Sequence, residues 1–409
     1  MDQVANTSLA LPAMWDQSPG LSADIPATAH LSVISTLPGL LALESQWRML
    51  EQSAFSPTSV FQTFDWIAAW CRTYCSGDDG VDIHLFAGFD RGSLVFVWPL
   101  ARQTHKCVRV LSWLSEPFGQ YGDVICAKGE NPRLWIATAL RHMNRLKGID
   151  ILRLRHVRED STLTTVAADQ LISARLSERA PFLDLTAFKT EADYEERYSG
   201  AQRKRRKKIR KHLEEIGPLT FTQLPLGTSS DRAIDQALAE KNVWLSERGR
   251  INRVLNCPGH PEFLKRLSRT TPQGVEMLVT ELRAGDNPVS WEIAFRFGGT
   301  HFAYITSHVN ALTDLSPGRL HFDYAQRACL AAGLQRYDLM VPYDPHKESW
   351  SSAMTPTEDY YLPFSFKGRI AGHAYLSHIR PVLRKIYYNL PQWALRLINP
   401  VRPKSSAGD

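Results

Sequence analysis

Cysteine is scarce: six in 409 residues (Cys71, Cys75, Cys107, Cys126, Cys257 and Cys329), with no CxxC pair. That is too few for a disulfide framework in a chain this long. Cys71 and Cys75 stand one helical turn apart with no second ligand pair near them, so no zinc site is expected either. A reducing cytoplasm is the expected compartment. Long apolar runs are missing as well: no uncharged apolar stretch of 18 residues occurs, and the first 30 residues lack the basic start and continuous apolar stretch of a signal peptide. A membrane-crossing segment is not expected, and the location expected is cytoplasmic, with room for peripheral contact at the inner membrane surface. There is no Walker loop, HExxH, GxSxG or metal-binding repeat, which argues against ATPase, zinc protease and serine hydrolase chemistry and leaves no metal expected.

What is present is ordinary in bulk. Apolar residues are 44% and charged residues 22%, which fits a folded chain and excludes collagenous or wholly disordered readings. At roughly 150 residues per domain the length suits two or three domains. The net charge of +6 is local: residues 203–211 read RKRRKKIRK, and residues 366–409 carry eight Lys or Arg against the single acid Asp409. Without these two segments the chain has 32 basic and 41 acidic residues, so the positive charge serves particular anionic contacts rather than a general nucleic-acid coat.

The order of elements predicts a mixed α/β fold. Residues 1–30, rich in Ser, Ala, Pro and Thr, read as a flexible tail. Apolar spacing from Trp47 through Trp70 predicts one or two helices, and residues 81–101 predict two strands around Asp90-Arg91-Gly92. Strands near 108–114 and 149–156 and a helix at about 131–147 complete the first half. In the second half Thr190 and Asp193 open a helix running to Gly217-Pro218. Helices near 230–249 and 260–270, strands at 275–284, 288–297 and 300–308, a helix from Pro317 to Ala332 and a strand at 337–341 follow. The two halves share one grammar, which two related domains explain better than one large sheet.

Within 302–320 (FAYITSHVNALTDLSPGRL), Ser316 is placed to cap a helix, Pro317 to occupy its first position and Gly318 to let a bound group approach the backbone. The free amides and the positive dipole end would take an anion such as a diphosphate, with Arg319 adding a full charge. For acid-base work, Tyr304 and His308 share one strand face and Glu292 lies on the neighbouring strand. His308 or Glu292 is placed to take up a proton and Tyr304 to give one. Beyond them Asp338 and Lys347 sit in the loop YDLMVPYDPHKESW, with Asp344 and His346 as weaker candidates.

Phe61-Gln62, Trp66 through Trp70, Pro99-Leu100, the basic helix at 203–211, Ser316-Pro317-Gly318, Gly333 with Tyr337-Asp338, and Lys347 with Trp350 form a spaced set. Together this set resembles the CelD-type (BcsL-type) cellulose-biosynthesis acetyltransferases over roughly residues 40–370. That family belongs to the GNAT superfamily and is similar in layout to the FemAB-like peptidyltransferases. The resemblance implies two tandem GNAT-like domains, 31–188 and 189–368, the second catalytic, followed by a basic amphipathic helical extension at 369–409. It implies direct acyl transfer from acetyl-CoA or another acyl-CoA to an amine or hydroxyl of a sugar, polysaccharide precursor or other envelope component. Cofactor binding would fall to Ser316, Pro317, Gly318 and Arg319. The catalytic set would be Glu292, Tyr304, His308, Asp338 and Lys347, the lysine holding a carbonyl oxygen or an acceptor phosphate. Two alternatives accompany it: a FemAB-like aminoacyltransferase using charged tRNA, and a non-catalytic binding protein of exopolysaccharide or cellulose assembly.

The helix at 203–211 keeps three readings open: a solvated face, a surface drawing in a phosphate-bearing substrate or cofactor through Arg205, Arg206, Lys207 and Lys208, and a nucleic-acid patch. Interleaved aromatics for base stacking are absent. The stretch 370–400 predicts short amphipathic helices interrupted at Pro381 and Pro391, docked on their own domain or lying on an anionic membrane surface.

Overall fold

In the computed structural model, which describes residues 25–54, 56–75, 81–270 and 274–398, Arg91 and Gly92 both take positive φ (49° and 80°). They close a two-residue hairpin whose twist matches its strands. Strands β1 (Ala29–Ile34), β2 (Asp82–Asp90), β3 (Ser93–His105), β4 (Val108–Trp113), the two-residue β5 (Ile125–Cys126), β6 (Ile151–Arg158) and β7 (Ile172–Asp184) belong to the first half. The second half contributes β8 (Leu219–Gln223), β9 (Glu276–Ala284), β10 (Asn287–Phe297), β11 (Thr300–His308), β12 (Arg336–Asp338) and β13 (Ala353–Pro363).

All thirteen form one sheet in the order β1-β2-β3-β4-β6-β13-β7-β12-β11-β10-β9-β8, with β5 beside β3. From either edge inward the pattern is the same: four antiparallel strands, then one parallel neighbour, β4 with β6 on one side and β11 with β12 on the other. The two central strands are exchanged. β13, from the end of the chain, lies against β6 of the first half, and β7 lies against β12 of the second. The two-part grammar read from the sequence is therefore present, but as one continuous sheet and not as two separate ones.

One face of this sheet is shared. Helices Leu37–Leu41, Glu44–Ser53 and Phe64–Tyr74 of the first half and Thr228–Glu247 and His260–Ser268 of the second pack there in a single apolar cluster containing Trp47, Trp66, Trp70, Phe263 and Leu264. Trp66 meets Phe263 edge-on with ring centroids 5.0 Å apart. Each such buried side chain contributes roughly 1.5–3 kcal/mol. The other face carries Pro132–Arg145 and Thr164–Gln170 over the first half, and Glu191–Glu196, Gly200–Glu214 and Pro317–Ala331 over the second.

Several expectations need correction. The helix opened by the Thr190–Asp193 capping box stops at Glu196; Ser199 and Gln202 form a second box and start a new helix, Gly200–Glu214. The strand expected at 337–341 ends at Asp338, because Met340 turns to φ 60°. Pro381 does not interrupt the C-terminal segment. It falls in the first turn of Arg380–Asn389, directly after a π-helical stretch, where its missing N–H is tolerated. Residues 1–24 of the expected tail and 399–409 of the expected extension lie outside the described residues, and strand pairing already begins at Ala29. Among the described residues no helix is long and apolar enough to cross a membrane.

Candidate active site

β11 and β12 pair over three residues only, Thr300–Phe302 with Arg336–Asp338. β11 then runs on to His308 while the chain after Asp338 turns away as a loop, so the sheet opens at this point. The counterpart between β4 and β6 is closed: the Trp113 indole N–H donates to the Arg155 carbonyl across it at 2.9 Å, and Gly122 lies so close to that ring that a Cβ would stand 1.8 Å from it. Among the described residues no comparable bond crosses the splay between β11 and β12 in the second half.

The helix Pro317–Ala331 begins at the mouth of this cleft. Ser316 does not cap it through its hydroxyl; the residue is left-handed (φ 54°, ψ 48°) and its side chain makes no capping bond. The amide cradle expected at 316–319 is also smaller than foreseen. Ser316 N–H donates to Thr313 O and Arg319 N–H to Ser316 O, and Pro317 has no donor. Among the described residues this leaves the Gly318 N–H as the amide of that run without a protein acceptor. A Cβ at Gly318 would meet only His308 Nδ1, at 3.7 Å, so there is open room above the backbone. Arg319 is half-buried, and its pKa is lowered by burial and by neighbouring Arg205.

His308 is half-buried at the end of β11, its Nε2 3.2 Å from Thr313 Oγ1. Burial, with Lys241 and Arg248 nearby, pushes it down to about 4, so it is neutral at neutral pH. Those two cations, which sequence reasoning missed, come from the C-terminal end of the helix Thr228–Glu247. Lys241 Nζ lies 4.9 Å from the centre of the Trp244 ring and Arg248 Cζ 4.0 Å from it. Among the described residues no carboxylate lies within ion-pair distance of Lys241, and burial lowers its pKa to about 8. The only available signal was an aromatic between two cations at helical spacing, which resembles any solvated helix end.

Lys347 is not free to act as expected. Its three N–H donors go to the carbonyls of Leu339, Met340 and Pro342 at 2.9, 3.0 and 2.9 Å, which exhausts an ammonium. It ties down the loop after β12. Its pKa falls to about 8 through burial and the proximity of Lys241. Asp344 caps the short helix Pro345–Glu348.

Three further candidates are taken up by the core. A bulge in β11 moves the register from Ile293↔Ile305 to Ala294↔Ala303. Tyr304 and Ile305 consequently pack in the same apolar cluster, and the face expected to join Tyr304 to His308 is broken. The Tyr304 hydroxyl donates to Phe118 O at 3.1 Å among Phe61, Trp66 and Phe295, and burial raises its pKa. Glu292 is wholly buried, 2.8 Å from His301 Nε2 and accepting the Tyr337 hydroxyl. Despite burial its pKa is lowered, by His301 above all, while His301 is raised against its own desolvation by Cys329 and Glu292. Asp338, also wholly buried, accepts from Tyr121 Oη at 2.9 Å and from Arg158 Nη1 at 2.7 Å. It joins the halves instead of serving as a base.

The basic helix Gly200–Glu214 flanks the same mouth. Ile209 and Leu213 pack with Leu312, Leu315 and Leu320. Arg206 is structural: it bonds Glu195 and Asp323 and stacks 3.8 Å from the centre of the Tyr198 ring. Lys204, Arg205, Lys207, Lys208 and Lys211 are exposed.

Residues 201–348 match the family model of an acetyltransferase (GNAT) domain. No curated protein matches the chain in sequence. Among solved structures the chain is similar to FemX, with a TM-score of 0.54 and 9% identity over 82% of this chain and 97% of that one. It is also similar to the C-terminal domain (DUF2156) of a putative lysylphosphatidylglycerol synthetase from Agrobacterium fabrum, with a TM-score of 0.50 and 12% identity over 79% and 92% of the two chains. Residues 201–348 thus match a GNAT domain and the chain shares its fold with FemX; the opening between β11 and β12, the helix at its mouth and most of the basic helix fall inside the matched domain.

Proposed function

We propose that the protein is an acyl-CoA-dependent acyltransferase whose second half, residues 189–368, binds the donor in the cleft between β11 and β12. The observation that carries this reading is the opening of the sheet at a helix start where a free amide, Arg319, Lys241 and Arg248 converge. These groups suit the phosphates of the donor, whose thioester supplies an acyl group activated for direct transfer. Gly318 leaves room for the phosphate chain, and the Lys347-tied loop forms the opposite wall.

His308 is the base the geometry favours. Its ring lies beside Gly318, it is neutral, and an anionic donor alongside would offset the two cations that depress it. The acceptor nitrogen or oxygen bonds to the carbonyl carbon, the carbon–sulfur bond breaks, and the acceptor's proton passes to His308 while the thiolate leaves and is protonated from solvent. Tyr304 and Glu292 have no part in this step. Calorimetry with acetyl-CoA and longer acyl-CoAs tests the donor: no binding across the series removes the proposal.

Lys241 gives the binding a pH signature. Its charge is present below about pH 8 and lost above it, so donor affinity is expected to fall by up to about tenfold from pH 7 to pH 9. In Lys241→Met the affinity at pH 7 should be lower and the profile over that range flatter. An unchanged profile in the variant would take Lys241 out of the site.

The acceptor, on the resemblance to the CelD-type enzymes, is a sugar, polysaccharide precursor or other envelope component. A second reading, a charged-tRNA donor, is favoured by the seven exposed cations on Gly200–Glu214. Replacing Arg205, Lys207 and Lys208 by Gln, leaving the structural Arg206, is expected to weaken donor binding several-fold and reduce its salt slope by about one to three. Tight tRNA binding lost in the same variant would favour the second reading.

A further inference from the structure

The segment after β13 turns an apolar surface outward that the fold does not use. From Phe366 to Asn389 it is continuously helical, as Phe366–Arg369, the π-type stretch Ile370–Ile379 and Arg380–Asn389, and Gln392–Ile398 follows. Its inner side is fixed to the sheet. A Cβ at Gly368 would fall 1.8 Å from the Asp150 carbonyl oxygen and one at Gly372 2.3 Å from the Tyr361 ring, so these glycines allow direct contact. Leu376 packs with Val110, Ile151 and Tyr361, and Arg380 and Arg384 pair with Asp359 and Glu178. The outer side carries Phe366 (76% exposed), Ile370, Ile379, Val382, Leu383 and Ile386, each about half exposed, and continues to Trp393 and Leu397. Isolated exposed apolar residues need no explanation, but a continuous row of large ones does.

Charge identifies what covers it. From residue 366 to the end the sequence has eight Lys or Arg and no acid before Asp409, and Lys367, Arg369 and Lys385 are exposed beside the apolar row. A second copy docked through the same face would set cations against cations with no carboxylate in the segment to match them. Aromatic and aliphatic side chains interleaved with unpaired cations match the headgroup boundary of an anionic bilayer.

We propose that residues 366–398 attach the protein peripherally to an anionic phospholipid surface. The apolar row enters the headgroup boundary, and Lys367, Arg369 and Lys385 meet lipid phosphates. This inference does not rest on the acyl-transfer reading.

Co-sedimentation of the full chain with vesicles tests it. Vesicles containing about one third phosphatidylglycerol in phosphatidylcholine should bind at least about tenfold more tightly than phosphatidylcholine alone, and added salt should weaken the binding. Lys367→Gln with Lys385→Gln should lower the affinity for the anionic vesicles by about tenfold or more. Phe366→Ser with Ile370→Ser and Ile386→Ser should abolish binding. All five side chains point outward, so an unchanged thermal midpoint shows that the variants are folded. Absence of binding, equal binding to neutral and anionic vesicles, or a concentration-dependent dimer abolished by the triple variant would each overturn the proposal, the last by assigning the face to a second copy.

Discussion

Gly318→Trp is expected to lower affinity for acetyl-CoA by about 100-fold or more while leaving the unfolding temperature unchanged. The position tolerates a side chain: it sits in the first turn of a helix, and the atom nearest a new Cβ is His308 Nδ1 at 3.7 Å, an ordinary contact. Ala should therefore be nearly neutral there. An indole would extend into the open space beside His308, where it is expected to cover the free amide and crowd Arg319. Calorimetry on both variants separates the cases. Unchanged affinity in Gly318→Trp would remove the donor from this helix end, whatever the protein's activity.

Arg158→Met is expected to cost about 3–5 kcal/mol of stability, because it removes one partner of a buried ion pair and strands the other. Arg158 is 1% exposed. It bonds Asp338 at 2.7 Å and Asp160 at 2.8 Å, and its guanidinium lies 4.8 Å from the centre of the Tyr121 ring. Arg158 belongs to β6 and Asp338 to β12, so the pair spans the exchanged strands. Denaturant titration would read the loss, and the double variant with Asp338→Asn should lose less than the two single changes added together. A loss below about 1 kcal/mol would mean that the joint is held by apolar contacts instead.

The antiparallel strands β2, β3, β4, β9, β10 and β11 and the paired halves were legible because their signals are local: a turn dipeptide at Arg91-Gly92, the turn residues 284–287 between apolar runs, and glycine after the helix ending near Ala331. β7 and β13 were not. They carry Pro181, Pro356 and charges such as Arg179 and Glu358, which argue against central strands, and they earn that place only through partners distant in sequence. In the candidate site, sequence reasoning named Gly318, Arg319 and His308, which the structure brings together where the end of β11 meets the helix Pro317–Ala331. It put Tyr304 on the strand face of His308 because a one-residue bulge leaves no compositional trace. It did not show that Asp338 and Lys347 are engaged by protein partners, because a buried structural charge and a catalytic one look alike until their hydrogen bonds are counted. Lys241 and Arg248 were invisible for a different reason: they reach the mouth from a helix some sixty residues upstream of it.

The strand exchange also bears on how the chain is made. β7 ends at Asp184 and the strand that must separate it from β6 starts at Ala353, so at roughly 5–20 residues per second the ribosome needs about 10–30 s to deliver it. During that interval the nascent first half holds two neighbouring edges with their eventual spacer missing. The backbone groups that β6 and β7 finally give to β13 have no partner strand until then, the kind of open strand edge that invites mispairing.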